Sequence, residues 1–409
     1  MTIIFRILLC TWSVFGLSQS AVAQAISFEE AYQEVFCQAY AIRAAEEGVE
    51  SSRSSKWQAG RLPNPLLAFG GQNLGPNHSD SDDNELFVAI TQPIELGGKR
   101  SARVNLAEAT ECVSNWDLAI VKNALANDLL HAFISVAAAQ ERLTLASQQA
   151  QFTQETLDHI KVKEEAGRSP SLEIKKAEIA KNTALVAISQ EQSALKQELR
   201  QLRAFWPDRT TFTSVEFPLY TLQEPPTLEQ LTSALPNNPI VGKAQASTVQ
   251  ANRVAALESS QRIPNVAVQV GVSTESWTKY PALTVGIDIP IPIFDRNSGN
   301  IDSARHDYYR SLYEEKGLQQ RLLAELEVTY HEWIAAYFQA LTLKNEIIPK
   351  AEEAHTFSKE GFQEGKFNYL EFLDAQKTLL EVKQQYLDAV EAYHHKRADV
   401  LKLSYGICQ

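Results

Sequence analysis

Beyond its first two dozen residues, the 409-residue chain has no unbroken apolar run of the length a membrane-crossing helix needs. That excludes a bundle of spanning helices. It leaves barrel strands, whose signal is weak and alternating, as the route into a bilayer. Positive charge is also short: 38 Lys and Arg face 50 Asp and Glu, a net charge of −12. Such a chain does not bind nucleic acid by electrostatics. Cysteine is sparse. Cys10 lies in the leader, and Cys37, Cys112 and Cys408 form no C-x-x-C and no His/Cys cluster, which argues against zinc. Nor is there a nucleophile–base pair, a phosphate-cradling glycine loop or a metal triad, so neither an enzyme nor a cofactor is expected.

What is present begins with an export signal. Arg6, an apolar core over 7–17 and Ala21-Val22-Ala23 read as a secretory signal peptide over 1–23, with a second cleavage possibility after Ala25. Cys10 follows the bulky Leu9, so no N-terminal lipid is expected. In an oxidising compartment Cys37 and Cys408 can form a disulfide. Buried small apolar side chains are an equal reading of the cysteines.

The mature chain is written twice. The stretch 282–307 opens with Leu283, Val285, Ile287 and Ile289 alternating with Thr284, Gly286 and Asp288, the period of a two-faced strand. Proline ends it at Pro290 and Pro292, and a very long helical pattern follows. The same passage occurs earlier, where Leu86, Val88 and Ile90 lead through Pro93 to Gly97-Gly98-Lys99-Arg100 and another long helix. Pro63, Pro93 and Gly167 recur as Pro264, Pro292 and Gly365, at offsets of 198 to 201 residues. The predicted unit is helix, β-hairpin, long helix, turn, helix, first over 26–206 and again over 227–409, with a proline-rich linker at 207–226.

In the first unit, Ser27 with Glu30 predicts a capping box for a helix over 26–59. The helix from Gly98 almost to Gly167 carries a seam at Leu118, Val121, Leu125, Leu129, Ala132, Val136, Ala139, Leu143, Ala146, Ala150, Thr153, Leu157 and Ile160, with most steps three or four. About 65 residues at ~1.5 Å each make a rod on the order of 100 Å long, which must pack on other rods. In the second unit, Pro349 is expected to kink the corresponding helix.

Two strands per unit make four per chain, too few to close a barrel, and open edges are excluded from lipid. Spanning strands must therefore be pooled by several chains, and three chains would supply 12, an even number in the outer-membrane range. Val266, Val268, Val270, Val272, Leu283, Val285, Ile287 and Ile289 would face lipid. Gln269, Ser273, Thr284 and Asp288 would face the watery lumen. The first hairpin is less clean, since Leu67 and Phe69 alternate with the apolar Leu66 and Ala68.

Here a resemblance becomes specific. The stretches 62–65, 92–100 and 289–299 resemble the outer-membrane factors of tripartite efflux systems, the family of the TolC channel, and within it the cobalt–zinc–cadmium branch. The resemblance spans essentially the whole mature chain. It implies an α+β membrane protein in the Gram-negative outer membrane: a homotrimer sharing one β-barrel, with a coiled-coil helical barrel projecting into the periplasm. It implies as partners a periplasmic adaptor and an inner-membrane, proton-driven pump of the resistance–nodulation–division type. Cargo would pass passively, with heavy-metal cations implied and drug export or type I secretion left open. The family's periplasmic gate motif matches Gly365, Glu371, Asp374 and Ala375; the first repeat keeps Gly167 and Glu173 but carries Lys176 where the second has Asp374.

Spacing alone reads Glu371 and Asp374 more readily as a solvated helix face, and the same acids could contact the adaptor. His78, Asp80, Asp82 and Asp83 are cation-binding by type but lack calcium-loop spacing, so an ordinary polar loop is favoured. His394 and His395 are adjacent and point apart on a helix. A periplasmic coiled-coil adaptor stays open as a different class of function. A soluble hairpin, however, has no need of a valine-rich outer face.

Overall fold

The computed structural model describes residues 24–72, 85–166, 170–207, 212–275 and 280–404. In chain order the elements are β1 (Gln24–Ser27), α1 (Phe28–Gln38), α2 (Tyr40–Ala59), β2 (Leu66–Gln72), β3 (Glu85–Ile94) and α3 (Lys99–Glu165). Next come α4 (Ser171–Arg203), β4 (Phe212–Glu216), α5 (Leu228–Ala234), α6 (Pro239–Gln261), β5 (Val266–Glu275) and β6 (Pro281–Asp288). The chain closes with α7 (Ser298–Thr342), α8 (Ile348–Gln363) and α9 (Tyr369–Ser404). The order of helix, hairpin, long helix and helix occurs twice. The chain forms two compact units, each drawing on both halves of the sequence.

One unit comprises 40–124, 226–328 and 401–409. Its centre is an antiparallel sheet of order β2-β3-β5-β6, so the two hairpins are joined through β3 and β5. The motifs that flag the strand-to-helix passages are explained by what they tie together. Gly97 and Gly98 have φ of 71° and 73°, and a Cβ on Gly97 would sit 2.8 Å from Ile263. Glycine is needed there for both backbone and space. Asn297, φ 57°, plays the part of Gly98 in the second repeat. Its N–H donates to Asp295 Oδ1 at 2.8 Å and its amide donates to the Glu258 carbonyl at 2.9 Å. Asparagine can adopt this conformation where most side chains cannot.

The basic start of α3 caps the end of α2. Arg100 donates to the Gly60 carbonyl at 2.7 Å, and Arg103 to those of Ala59 at 3.3 Å and Arg61 at 3.2 Å while also gripping Glu95. These are carbonyls that no intrahelical partner reaches. Asn238, fully buried, accepts from Ile240 N and donates to the carbonyls of Lys402 and Leu403.

The other unit comprises 1–39, 125–225 and 329–400. Here the sequence reading needs three corrections. Ser27 and Glu30 do form the capping box, but the helix starts at Phe28 and breaks at Ala39; Gln24 to Ser27 are a strand. That strand pairs in parallel with β4, so 207–226 is not irregular throughout. Gln140 completes the pairing by bonding both the N–H and the carbonyl of Val215. Five residues with no apolar–polar period carried no sequence signal for β4. Finally, the helix containing Pro349 is interrupted just before the proline, by a π turn over Leu343–Ile347. Pro349 has no N–H to give, and the Ile348 N–H reaches back to Leu343.

The predicted α3 seam is buried at Leu129, Val136, Ala139, Ala150, Thr153, Leu157 and Ile160, but only half-buried at Leu118, Val121, Leu125, Ala132, Leu143 and Ala146. Between 126 and 139 burial extends beyond that stripe to Ala126, Phe133, Ile134 and Ala138. Phe28 meets Phe133 edge-on at 5.6 Å, so α1 covers a second face of the helix. Cys37 and Cys112 are exposed rather than buried, and Cys408 lies outside the described residues.

His394 is buried, with Nε2–H donating to the Leu219 carbonyl at 2.7 Å. Burial, with the charge of Arg397 adding and the Leu219 bond opposing, pushes its pKa from 6.5 down to about 4. The unfolded chain therefore binds the extra proton first. The contribution of this neutral histidine is present above about 6.5 and is lost as pH falls toward 4, up to ~3 kcal/mol in all. Urea unfolding across that window should show this loss in the wild type. It should be flatter in His394→Gln, whose amide can keep the bond without titrating.

Candidate functional site

Two places gather the residues singled out from the sequence, and each is built locally. The first is the four-stranded sheet. Directly paired residues share a face. Val268 lies opposite Ile287, Val270 opposite Val285 and Val272 opposite Leu283. Across the other ladder, Val88 lies opposite Val272 and Ile90 opposite Val270. The register extends this face to Leu67 and Phe69 of β2. It is a continuous apolar surface, and Phe69, Leu283, Val285 and Ile287 are each at least 60% exposed. Soluble monomers seldom leave so large an apolar face open. Val266 and Val268 are only half-buried, and Ile289 lies just past the end of β6.

The opposite face carries Ala267, Gln269, Gly271 and Ser273 beside Asp288, Gly286, Thr284 and Ala282. It continues through Thr91, Ala89 and Phe87 to Leu66, Ala68 and Gly70. This resolves the ambiguous hairpin. Small residues make room on the face: Phe87 lies over Gly70, where a Cβ would come within 2.8 Å of its ring, and Gly271 lies against Ala89. Aromatic cover of a strand glycine could not be read from either residue alone. The outer strands β2 and β6 each pair on one side only among the described residues.

The second place is the turn between α8 and α9, with the start of α4. Gly365, φ 77°, ends α8, and the N–H groups of Lys366 and Phe367 reach back to the Gly361 carbonyl at 2.8 and 3.1 Å. The Phe367 ring occupies the space where a Gly361 side chain would be. Leu157, Ile160, Ala177, Phe362, Tyr369 and Phe372 form a small core beneath the turn. Burial, with Glu173 nearby, holds the Tyr369 hydroxyl above its ordinary pKa.

Within this turn Glu371 has a defined partner. Its carboxylate accepts from the Asn368 N–H at 2.9 Å, and Asn368 Oδ1 accepts from the Glu371 N–H at 3.0 Å. That reciprocal pair is a capping box for α9. Asp374, one turn on, is exposed. Gly167, His78, Asp80, Asp82 and Asp83 lie outside the described residues.

Sequence reasoning missed a polar cluster in the same unit as the turn. His131 bonds Asp399 at 2.9 Å through Nε2, and its Nδ1 meets Nδ1 of His395 at 2.7 Å. One of the two facing nitrogens must carry the proton and the other must not. His395 in turn approaches Glu391, which Arg142 also holds. Burial works against ionisation of Glu391, yet His395 and Arg142 keep its carboxyl below the ordinary value. The partners are more than 260 residues apart, so no local spacing could signal them. His394 and His395 do point apart, as helix geometry requires.

Among the described residues no helix is long and apolar enough to cross a membrane, and no group of three or more His, Cys, Asp and Glu is placed to hold a metal ion. A duplicated helical rod with a strand pair per repeat, and a two-faced sheet whose outer strands are open on one side among the described residues, define a subunit of a channel that enters the membrane through strands. The chain belongs to the outer membrane efflux protein family, whose pattern matches residues 31–206 and 231–404. It is 30% identical over 347 residues to the cobalt-zinc-cadmium resistance protein CzcC of Cupriavidus metallidurans, covering 85% of this chain and 82% of that one. It is 28% identical over 286 residues to the nickel and cobalt resistance protein CnrC of the same organism, covering 70% and 68%. Its fold matches the structure of CusC with a TM-score of 0.77 at 16% identity, over 96% of each chain. It matches the Vibrio cholerae outer membrane protein VceC with a TM-score of 0.76 at 14% identity, over 93% and 96%.

The capping box separates two roles for Glu371. Glu371→Ala should loosen the first turn of α9, costing about 1 kcal/mol. Glu371→Gln, which keeps the bond and removes the charge, should protect the amides of 369–372 from hydrogen exchange as the wild type does. Equal loss of protection in both variants would assign the effect to charge instead.

Proposed function

We propose that this outer-membrane efflux channel works as a homotrimer, with three four-stranded sheets closing one barrel around an aqueous lumen. The observation that carries the reading is the sheet itself: apolar on one face, small and polar on the other, and unpaired at both edges among the described residues. A barrel shared by several chains satisfies those edges, which lipid cannot. Val266, Val268, Val270, Val272, Leu283, Val285 and Ile287 face lipid in this reading, with Ile289 at the boundary. Gln269, Thr284 and Asp288 face the lumen. The two tandem units of the sequence, 26–206 and 227–409, each supply one hairpin.

The chain is a passive conduit and not an enzyme. It receives cargo from an inner-membrane pump of the resistance–nodulation–division type through a periplasmic adaptor. The likeness to CzcC and CnrC supports heavy-metal cations as that cargo. A conduit need not bind its cargo tightly, because an ion must also leave. Deletion of the gene should lower tolerance to cobalt, zinc, cadmium or nickel. Unchanged metal tolerance with raised drug sensitivity would move the cargo to organic compounds. In the extracted outer-membrane fraction the protein should run as a heat-modifiable trimer. A soluble monomer would sink the shared barrel and favour the adaptor reading.

The turn regions of both repeats form the periplasmic gate, with Gly167 and Gly365 at the turns and Glu173, Glu371 and Asp374 as its acids. Glu371 is engaged with Asn368, so Asp374 is the acid free to set the field of the constriction. Asp374→Ala should raise the conductance of the closed channel in planar bilayers. Unchanged conductance would place Asp374 outside the constriction.

A further inference from the structure

Between the end of α2 and the start of β2 lies a feature that the channel reading leaves unused. Trp57 is 65% exposed, and the guanidinium carbon of Arg61 sits 3.4 Å from the centre of its ring. They border an open hollow of 930 Å³, lined also by Leu62, Pro63, Glu95 and Arg103. The one acid in that group is already engaged: Arg103 holds Glu95, keeping its carboxyl below the ordinary value, with the charges of Lys99 and Arg100 adding. No carboxylate among the described residues forms an ion pair with Arg61. An acidic chain thus presents a stacked, uncompensated guanidinium at the rim of a hollow.

We infer that the Trp57–Arg61 pair is a headgroup site for glycerophospholipid, binding the lipid phosphate at the periplasmic edge of the barrel. The inference rests on the reading of the apolar sheet face as the lipid-facing surface. Two observations select a lipid over a free anion, and two more suit the phosphate itself. The pair shares its hollow with Leu62, 65% exposed, and the strand that follows carries Leu67, 60% exposed, onto that apolar face. A free phosphate gains nothing from those side chains, whereas an acyl chain lies along them. An exposed tryptophan is amphipathic, suited to the plane where headgroups meet hydrocarbon. The guanidinium, its carbon 3.4 Å from the centre of the indole ring, keeps its nitrogens for a phosphate, to which an arginine can offer two parallel bonds. Charge is complementary, since Arg61, Lys99 and Arg100 flank the passage from helix to strand.

The test uses the full-length protein extracted in mild detergent and titrated with phosphatidylglycerol, with bound lipid counted by native mass spectrometry. Arg61→Gln should weaken retention about fivefold, and Trp57→Ala should weaken it as well. Both side chains are exposed, so neither variant is expected to unfold the chain. Excess inorganic phosphate should not displace the lipid. Unchanged retention in Arg61→Gln would overturn the site. Displacement by inorganic phosphate would overturn the lipid in favour of a free anion. The two readings separate in one further step, reconstitution into vesicles. A chain that inserts but retains lipid independently of Arg61 overturns this inference alone. A chain that does not insert overturns the channel reading beneath it.

Discussion

Inside hydrocarbon every backbone N–H and C=O must find its partner within the protein. The four-stranded sheet meets that demand along three ladders and leaves one side of β2 and one side of β6 to be met by something else. Much of the remaining architecture follows from this constraint. A strand pair per repeat is worthless in lipid alone, so the repeats join through β3 and β5, ten residues paired in register. In the proposed trimer a second joining, edge to edge between copies, closes the surface without water. The alternation of apolar and small residues then has a fixed sense, because a register slip of one would move the valines onto the small-residue face and Gln269 onto the apolar one.

The same constraint explains the chemistry at the strand ends. Where a strand gives way to a helix, carbonyls at the end of the preceding helix lose their partners. In the first repeat, Arg100 and Arg103 supply donors to the end of α2, and Glu95 orients Arg103. In the second, Asn297 binds the carbonyl of Glu258 near the end of α6. Two different side-chain solutions serve the same need at matched places. This is why the two passages look related in outline, as proline then helix, yet differ residue by residue.

The repeat, the strand faces and the long seams were legible in the sequence because each is periodic. Period two marked Val266 to Val272 and Leu283 to Ile287, and steps of three and four marked Leu129 to Ile160. What escaped was aperiodic or non-local. β4 has five residues and pairs with a strand nearly two hundred positions earlier. The face assignment of Leu66 and Phe69 depended on a register with β3 that no single strand encodes. The His131–His395 contact joins two helices far apart in the chain. The start of α1 was placed two residues early because apolar Ile26 suits a strand or a helix equally, and only β4 decides between them.

Glu371 shows how a motif and a structural duty share one residue. The sequence pattern reads it as a gate acid by position; the geometry gives it the third place of a capping box, where its carboxylate is held by a backbone N–H. Both are compatible with its charge, since an acid at a helix N-terminus is favoured whatever lies beyond it. The field in a constriction depends on charge that is not already compensated. A carboxylate facing the helix N-terminus is partly neutralised by the dipole it caps, whereas Asp374 lies a turn further in and exposed. In the first repeat Lys176 stands at the place matching Asp374, so the gate proposed above would carry both signs of charge and a weaker field than an all-acid one.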